Sequence, residues 1–166
     1  MPKSLHFLLE SAQILVFLLL VTPGFTQTLP EIEKDLVETY AQITSFHDSS
    51  SDSVEYHNKR FDQKIITYLE KHPNTLKYAF PQLSKECFVA TSADGRFRIY
   101  SWDTFLGGTA PDFGSIIQYA AGDKVLISKL FVGPGFYAEI HTLKTRNKTY
   151  YIANRHNIFS TSDSGQ

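Results

Sequence analysis

Cysteine is nearly absent from this chain: Cys87 stands alone among 166 residues. A lone thiol excludes an internal disulfide framework, so the fold must be held by its core. Phe88 and Val89 follow it, which places it in a strand as a buried, inert group, and no histidine lies close in sequence to activate it. An excess of charge of either sign is missing too. Sixteen Lys and Arg stand against seventeen Asp and Glu, a formal net charge of -1, which leaves no basic patch to displace counterions and excludes nucleic acid as an expected partner. No serine, Ser115 included, sits in a G-x-S-x-G elbow. No helical pattern opens after Gly107-Gly108 to cradle a phosphate. No cofactor is expected.

What is present begins at the amino terminus. Lys3 is followed by the apolar run Ile14 to Val21, then by Pro23-Gly24 and small or polar residues. A positive start, a short apolar stretch and a cleavable tail form the pattern of a secretory signal over residues 1–26, with the cut before Gln27. The alternative is an uncleaved anchor from Leu5 to Phe25, but Glu10 interrupts it, and a carboxylate in hydrocarbon is costly. No lipobox-like cysteine follows the run. The protein therefore reads as exported, periplasmic or extracellular, touching membrane only through this segment if it is uncleaved. Residues 27–166 fit one domain, large enough to bury roughly two thirds of its surface.

Thr28-Leu29-Pro30-Glu31 has the form of a capping box, and Ile32, Leu36, Tyr40 and Ile43 then recur on one helical face. The opposite face is Glu, Lys, Asp and Gln. A polar tract from His47 to Ser53 interrupts the pattern, with Asp52 and Glu55 offering a second cap. Val54, Phe61, Ile65, Tyr68 and Leu69 form the stripe of a second helix that His72-Pro73 ends. Two amphipathic helices need a cover, and the strands that follow are the candidate.

From Cys87 onward the period becomes two. Cys87 to Ser92 and Arg96 to Trp102 flank Asp94-Gly95; Ile116 to Ala120 and Lys124 to Leu130 flank Gly122-Asp123; Phe136 to Lys144 and Thr149 to Arg155 flank Arg146-Asn147. In the second run Phe97 and Ile99 point one way and Arg96, Arg98, Tyr100 and Trp102 the other. The predicted fold is α+β: an N-terminal helical hairpin followed by an antiparallel β-meander of about six or seven strands. The last of them, Asn157 to Thr161, would have an open edge, which leaves room for a domain that continues beyond Gln166.

Asp94-Gly95-Arg96-Phe97-Arg98-Ile99-Tyr100-Ser101-Trp102-Asp103-Thr104, Gly107-Gly108-Thr109, Ile116-Ile117-Gln118-Tyr119 and Ile140-His141-Thr142-Leu143-Lys144 carry a resemblance. Over roughly Phe80 to Ser162 the chain resembles a group of uncharacterised exported bacterial proteins. The resemblance implies compartment and fold, including further strands, and brings no catalytic residues. The chain departs from the group's pattern around Ala110-Pro111-Asp112.

Several constellations could carry chemistry. The segment Ser92 to Asp103 has the Asp-Gly turn and Trp-Asp ending of a propeller blade, but in one copy where that fold needs about four. Glu139 and His141 share a strand face and could ligate a metal with His156. A two-residue turn at Arg146-Asn147 would put His141 opposite Ile152 and His156 opposite Tyr137, roughly 13 Å apart along the strand, so no metal site is expected. Loop Thr104 to Asp112 is long for a meander and is the expected edge of a binding site made of Tyr100, Trp102, Asp103, Gly107, Gly108 and Thr109. The leading expectation is a non-catalytic binding or structural module of the cell envelope, with a protein, glycan or small-molecule partner. The alternative is a periplasmic hydrolase-like enzyme using His141 with Asp103 or Glu139. Asn147-Lys148-Thr149 also has the form of an N-glycosylation acceptor.

Overall fold

The computed structural model describes residues 27–46, 50–130 and 133–158. The signal segment read at residues 1–26 lies outside them, as does the expected last strand beyond Ile158. The elements are α1 (Leu29–Ser45), α2 (Ser51–Lys71), a 3-10 turn (Pro73–Lys77), α3 (Leu83–Glu86), β1 (Phe88–Thr91), β2 (Phe97–Asp103), β3 (Phe113–Ala121), β4 (Lys124–Lys129), β5 (Phe136–Lys144) and β6 (Thr149–His156). Among the described residues no helix is long and apolar enough to cross a membrane.

Thr28 starts α1 through a complete capping box: its amide donates to the Glu31 carboxylate at 2.8 Å, and the Glu31 amide donates to Thr28 Oγ1 at 3.4 Å. Ile32, Leu36, Tyr40 and Ile43 are all buried, as the spacing predicts. The cap of α2 is Ser50, whose hydroxyl accepts from Ser53 N at 3.4 Å, and not the expected Asp52, which lies inside the first turn. Val54, Phe61, Ile65 and Leu69 are buried against α1 and the sheet. Tyr68 is half-buried and donates its hydroxyl to Asp35 of α1.

That contact is part of a polar seam between the two helices. Lys64 Nζ donates to Asp35 Oδ1 and to Thr39 Oγ1, both at 2.9 Å. Burial works to raise the Asp35 pKa, but hydrogen bonds from Tyr68 and Lys64, with the charges of Lys64 and Arg60, outweigh it and hold the carboxyl below its ordinary 3.8. A depressed carboxyl stabilises the fold fully above its unfolded pKa, and that contribution disappears as pH falls through the folded value. Asp35→Asn is therefore expected to cost about 1 kcal/mol near pH 6. Thermal melts of the two proteins should converge as pH falls through the lowered folded pKa of Asp35.

β1 to β4 form one antiparallel sheet in sequence order, with Val89 opposite Tyr100, Tyr100 opposite Ile116 and Gln118 opposite Ile127. β5 and β6 form a separate two-stranded hairpin. The single meander expected from the turns is thus broken after β4. Gly133 still bridges to Phe113, and Pro134, which has no amide hydrogen, ends the ladder there. The hairpin then lies over the opposite side of the sheet: Phe136 stacks on Phe88 at 3.6 Å, Tyr151 stacks on Phe97 at 4.9 Å, and Tyr137 N donates to Ser101 Oγ. Three layers result, with helices, sheet and hairpin in that order. β2 is therefore buried on both faces.

Within the hairpin His141 faces Ile152 and Thr145 pairs with Lys148, as expected. An irregularity between Tyr137 and Glu139 moves His156 from the predicted Tyr137 to Phe136, on whose ring it stacks at 5.5 Å. Cys87 is buried as expected, and burial pushes its thiol pKa well up, ahead of a smaller contribution from Glu86.

Candidate functional site

Asn58 interrupts the apolar stripe of α2, four residues after Val54 and three before Phe61. Its side-chain amide donates to Val54 O at 3.0 Å and to Thr104 O at 2.6 Å, tying the loop after β2 to the helix. Thr104 closes that loop from the other end: its amide and its hydroxyl both donate to Asp112 O at 2.9 Å. Leu106 N in turn donates to Thr104 Oγ1 at 3.3 Å. Loop 104–112 is thereby held against α2.

Between α2, this loop and the ends of β2 to β4 lies a cleft of about 270 Å³. Trp102, Leu106, Gly114 and Leu130 give it an apolar lining, and Asn58, Thr104 and Ser115 add polar atoms. Gly114 is required here, because a Cβ at that position would stand 2.5 Å from the Trp102 ring. The other side of the indole meets Phe61 edge-on, with ring centres 5.2 Å apart. The charged residues at the cleft, Glu55, Lys59, Asp62 and Lys129, are matched in two ion pairs, Lys59 to Glu55 at 2.6 Å and Lys129 to Asp62.

Two side-chain atoms of the lining residues have no hydrogen-bond partner among the described residues. Trp102 Nε1 and Asn58 Oδ1 are both buried without a hydrogen bond. The assignment of the Asn58 amide is fixed by its two carbonyl acceptors, so Oδ1 cannot be exchanged with Nδ2 to repair the deficit. Leaving a buried donor or acceptor unmet costs about 1–3 kcal/mol. One unmet donor and one unmet acceptor, both sealed from solvent, therefore belong to residues that line a single cleft.

The residues predicted from sequence separate into three places. Tyr100 is 1% exposed and Trp102 4% exposed, so neither offers a surface aromatic face. Tyr100 belongs to a buried network: its hydroxyl donates to Gln118 Oε1 at 2.9 Å, Gln118 Nε2 donates to Thr75 Oγ1, and Arg98 donates to the carbonyls of Thr75 and Tyr78. The helices cover this side of β2, and that is the physical reason for the correction. Trp102 remains as lining of the cleft, not as a platform.

Asp103, Gly107, Gly108 and Thr109 do come together, with Phe105 and Pro111, around a second cleft of about 360 Å³. Burial raises the Asp103 pKa; the Phe105 amide, donating at 2.8 Å, works against it and the charge of Asp112 adds to it. Gly107 serves the loop itself, since a Cβ there would run into the Ala110 carbonyl oxygen and the Asp112 amide. Phe105, at φ 54, holds a left-handed conformation that the closed loop imposes.

His141 lies elsewhere, on the exposed outer face of the hairpin. Its Nε2 is 3.2 Å from Asn154 Nδ2 and 3.7 Å from Glu139 Oε2, and the side chains of both His141 and Glu139 are more than half exposed. Asp103 lines the loop cleft, whose lining does not include His141. Among the described residues no group of three or more His, Cys, Asp or Glu could hold a metal ion. Asn147 of the acceptor motif is exposed in its turn.

Sequence reasoning missed Asn58 and Gly114. The signal for Asn58 was present, since a polar residue at a stripe position between Val54 and Phe61 must find buried partners. No protein-family model, no curated protein and no solved structure matches this chain, so its function is argued from the cleft and its chemistry.

Proposed function

We propose that the protein is an exported, non-catalytic binding module that holds a small ligand in the cleft between α2 and loop 104–112. The observation that carries this reading is the pair of unmet, buried polar atoms, Trp102 Nε1 and Asn58 Oδ1, on two residues that line one largely apolar cleft. Apolar walls with a few placed polar groups are the usual composition of a small-molecule site. Export rests on the charged start, apolar run and cleavable tail of residues 1–26.

The two halves of the proposal are tested on one preparation. Expressed at full length in a bacterial host, the protein is expected outside the cytoplasm with a mass beginning at Gln27; retention of Lys3 on the exported form would overturn the cleaved signal. A fragment screen by thermal shift is then read a second way, through the fluorescence of Trp102, the chain's one tryptophan. Stabilising hits should alter its emission. Hits that stabilise the protein while leaving that emission unchanged would place binding elsewhere.

A further inference from the structure

The balance of charge and hydrogen bonding at the cleft specifies what kind of ligand it takes. Glu55 and Asp62 are matched by Lys59 and Lys129, so the cleft presents no net charge to select an anion or a cation. Inside, Asn58 Oδ1 can only accept and Trp102 Nε1 can only donate. Thr104 Oγ1 is already engaged with Asp112 O and Leu106 N, and Ser115 Oγ turns to Ser101 Oγ on the hairpin side of the sheet. A sugar would bring many more hydroxyls than two unpaired atoms can meet, and each surplus hydroxyl would be desolvated without return.

From these observations, and resting on the binding reading above, we infer that the cleft recognises a small neutral molecule: an apolar, ring-sized body bearing one hydrogen-bond donor and one acceptor, as in an aromatic amide. The ligand's carbonyl takes the Trp102 N–H and its N–H goes to Asn58 Oδ1. Both protein atoms are sealed from water, so the ligand reaches them by displacing a neighbouring side chain. Leu106, an exposed apolar residue of the lining on loop 104–112, is the one it moves.

The test is a ligand series measured by calorimetry on the mature protein: benzamide, toluene, benzoate, benzamidinium and glucose. Benzamide should bind at least about tenfold more tightly than toluene, the ratio expected of one well-made hydrogen bond, and more tightly than the charged analogues or the sugar. Trp102→Phe keeps a ring but loses the N–H. It should reduce benzamide affinity about tenfold and change toluene affinity much less, a selective loss that general loosening would not produce. Equal binding of toluene and benzamide, or preference for benzoate, benzamidinium or glucose, would overturn the ligand class while leaving the cleft a binding site. No response to any of the five, with no Trp102-linked hit in the fragment screen, would overturn both readings. The wild-type series decides the matter even if the variant fails to fold.

Discussion

Phe61→Ala is expected to lower the unfolding free energy by about 3–5 kcal/mol, with a fall in Tm on the order of 10 °C. Phe61 is fully buried in the core between the helices and the sheet. Its ring lies 5.3 Å from Tyr40 of α1 and 5.2 Å, edge-on, from Trp102 of β2. Truncation removes the apolar contacts of a whole ring and leaves a cavity that three rigid elements cannot collapse into. Phe61→Leu fills much of that space and should cost far less. Chemical denaturation checks the ranking. Because the cavity would open beside the indole, Trp102 emission should change in Phe61→Ala before unfolding begins.

Glu33→Ala should cost about 3 kcal/mol, although Glu33 stands on a helix face that reads as polar. Glu33 is 3% exposed. One carboxylate oxygen accepts from Gln82 N at 2.6 Å and Leu83 N at 3.0 Å, and the other accepts from the Tyr78 hydroxyl at 2.8 Å. The carboxylate thus gathers the start of α3 and the strand of chain before it onto α1. Alanine strands three donors at once, whereas Glu33→Gln keeps an acceptor for the two amides and should lose about 1 kcal/mol. The hydrogen bond from Tyr78 to Glu33 is the main reason that the Tyr78 pKa lies above 10. Spectrophotometric titration should therefore find Tyr78 closer to its ordinary value in Glu33→Ala, a shift that simple loosening of the core would not confine to one tyrosine.

The contrast between these residues shows how far the sequence was legible. Local signals with a short physical range were readable: the Thr28 capping box, the apolar stripes of both helices, the Arg146-Asn147 turn and the register that puts His141 against Ile152. Each depends on spacing within a few residues or on one turn. Glu33, Asn58 and Arg98 depend on what arrives from far along the chain, and periodicity carries no record of that. Alternation in β2 correctly grouped Arg98, Tyr100 and Trp102 on one side, yet it could not say which side would be covered. The helices cover that side, and the β5–β6 hairpin covers the other. Apolar residues on both faces of Phe97–Asp103 were the available sign of a strand buried twice over. Of the site expected around loop 104–112, Asp103, Gly107, Gly108 and Thr109 do converge, but the cleft with unmet polar groups lies on α2 and draws on Asn58 and Gly114.

The indole N–H of Trp102 tests the central claim most directly, because a chain with one tryptophan gives one such signal in a nitrogen-proton correlation spectrum. In the empty protein it should appear at the position of a donor without a partner and exchange slowly with water, as burial requires. Saturating benzamide should move it to the position of a hydrogen-bonded donor. An N–H that is already hydrogen-bonded before any ligand is added, or that does not move at saturation, would contradict the account.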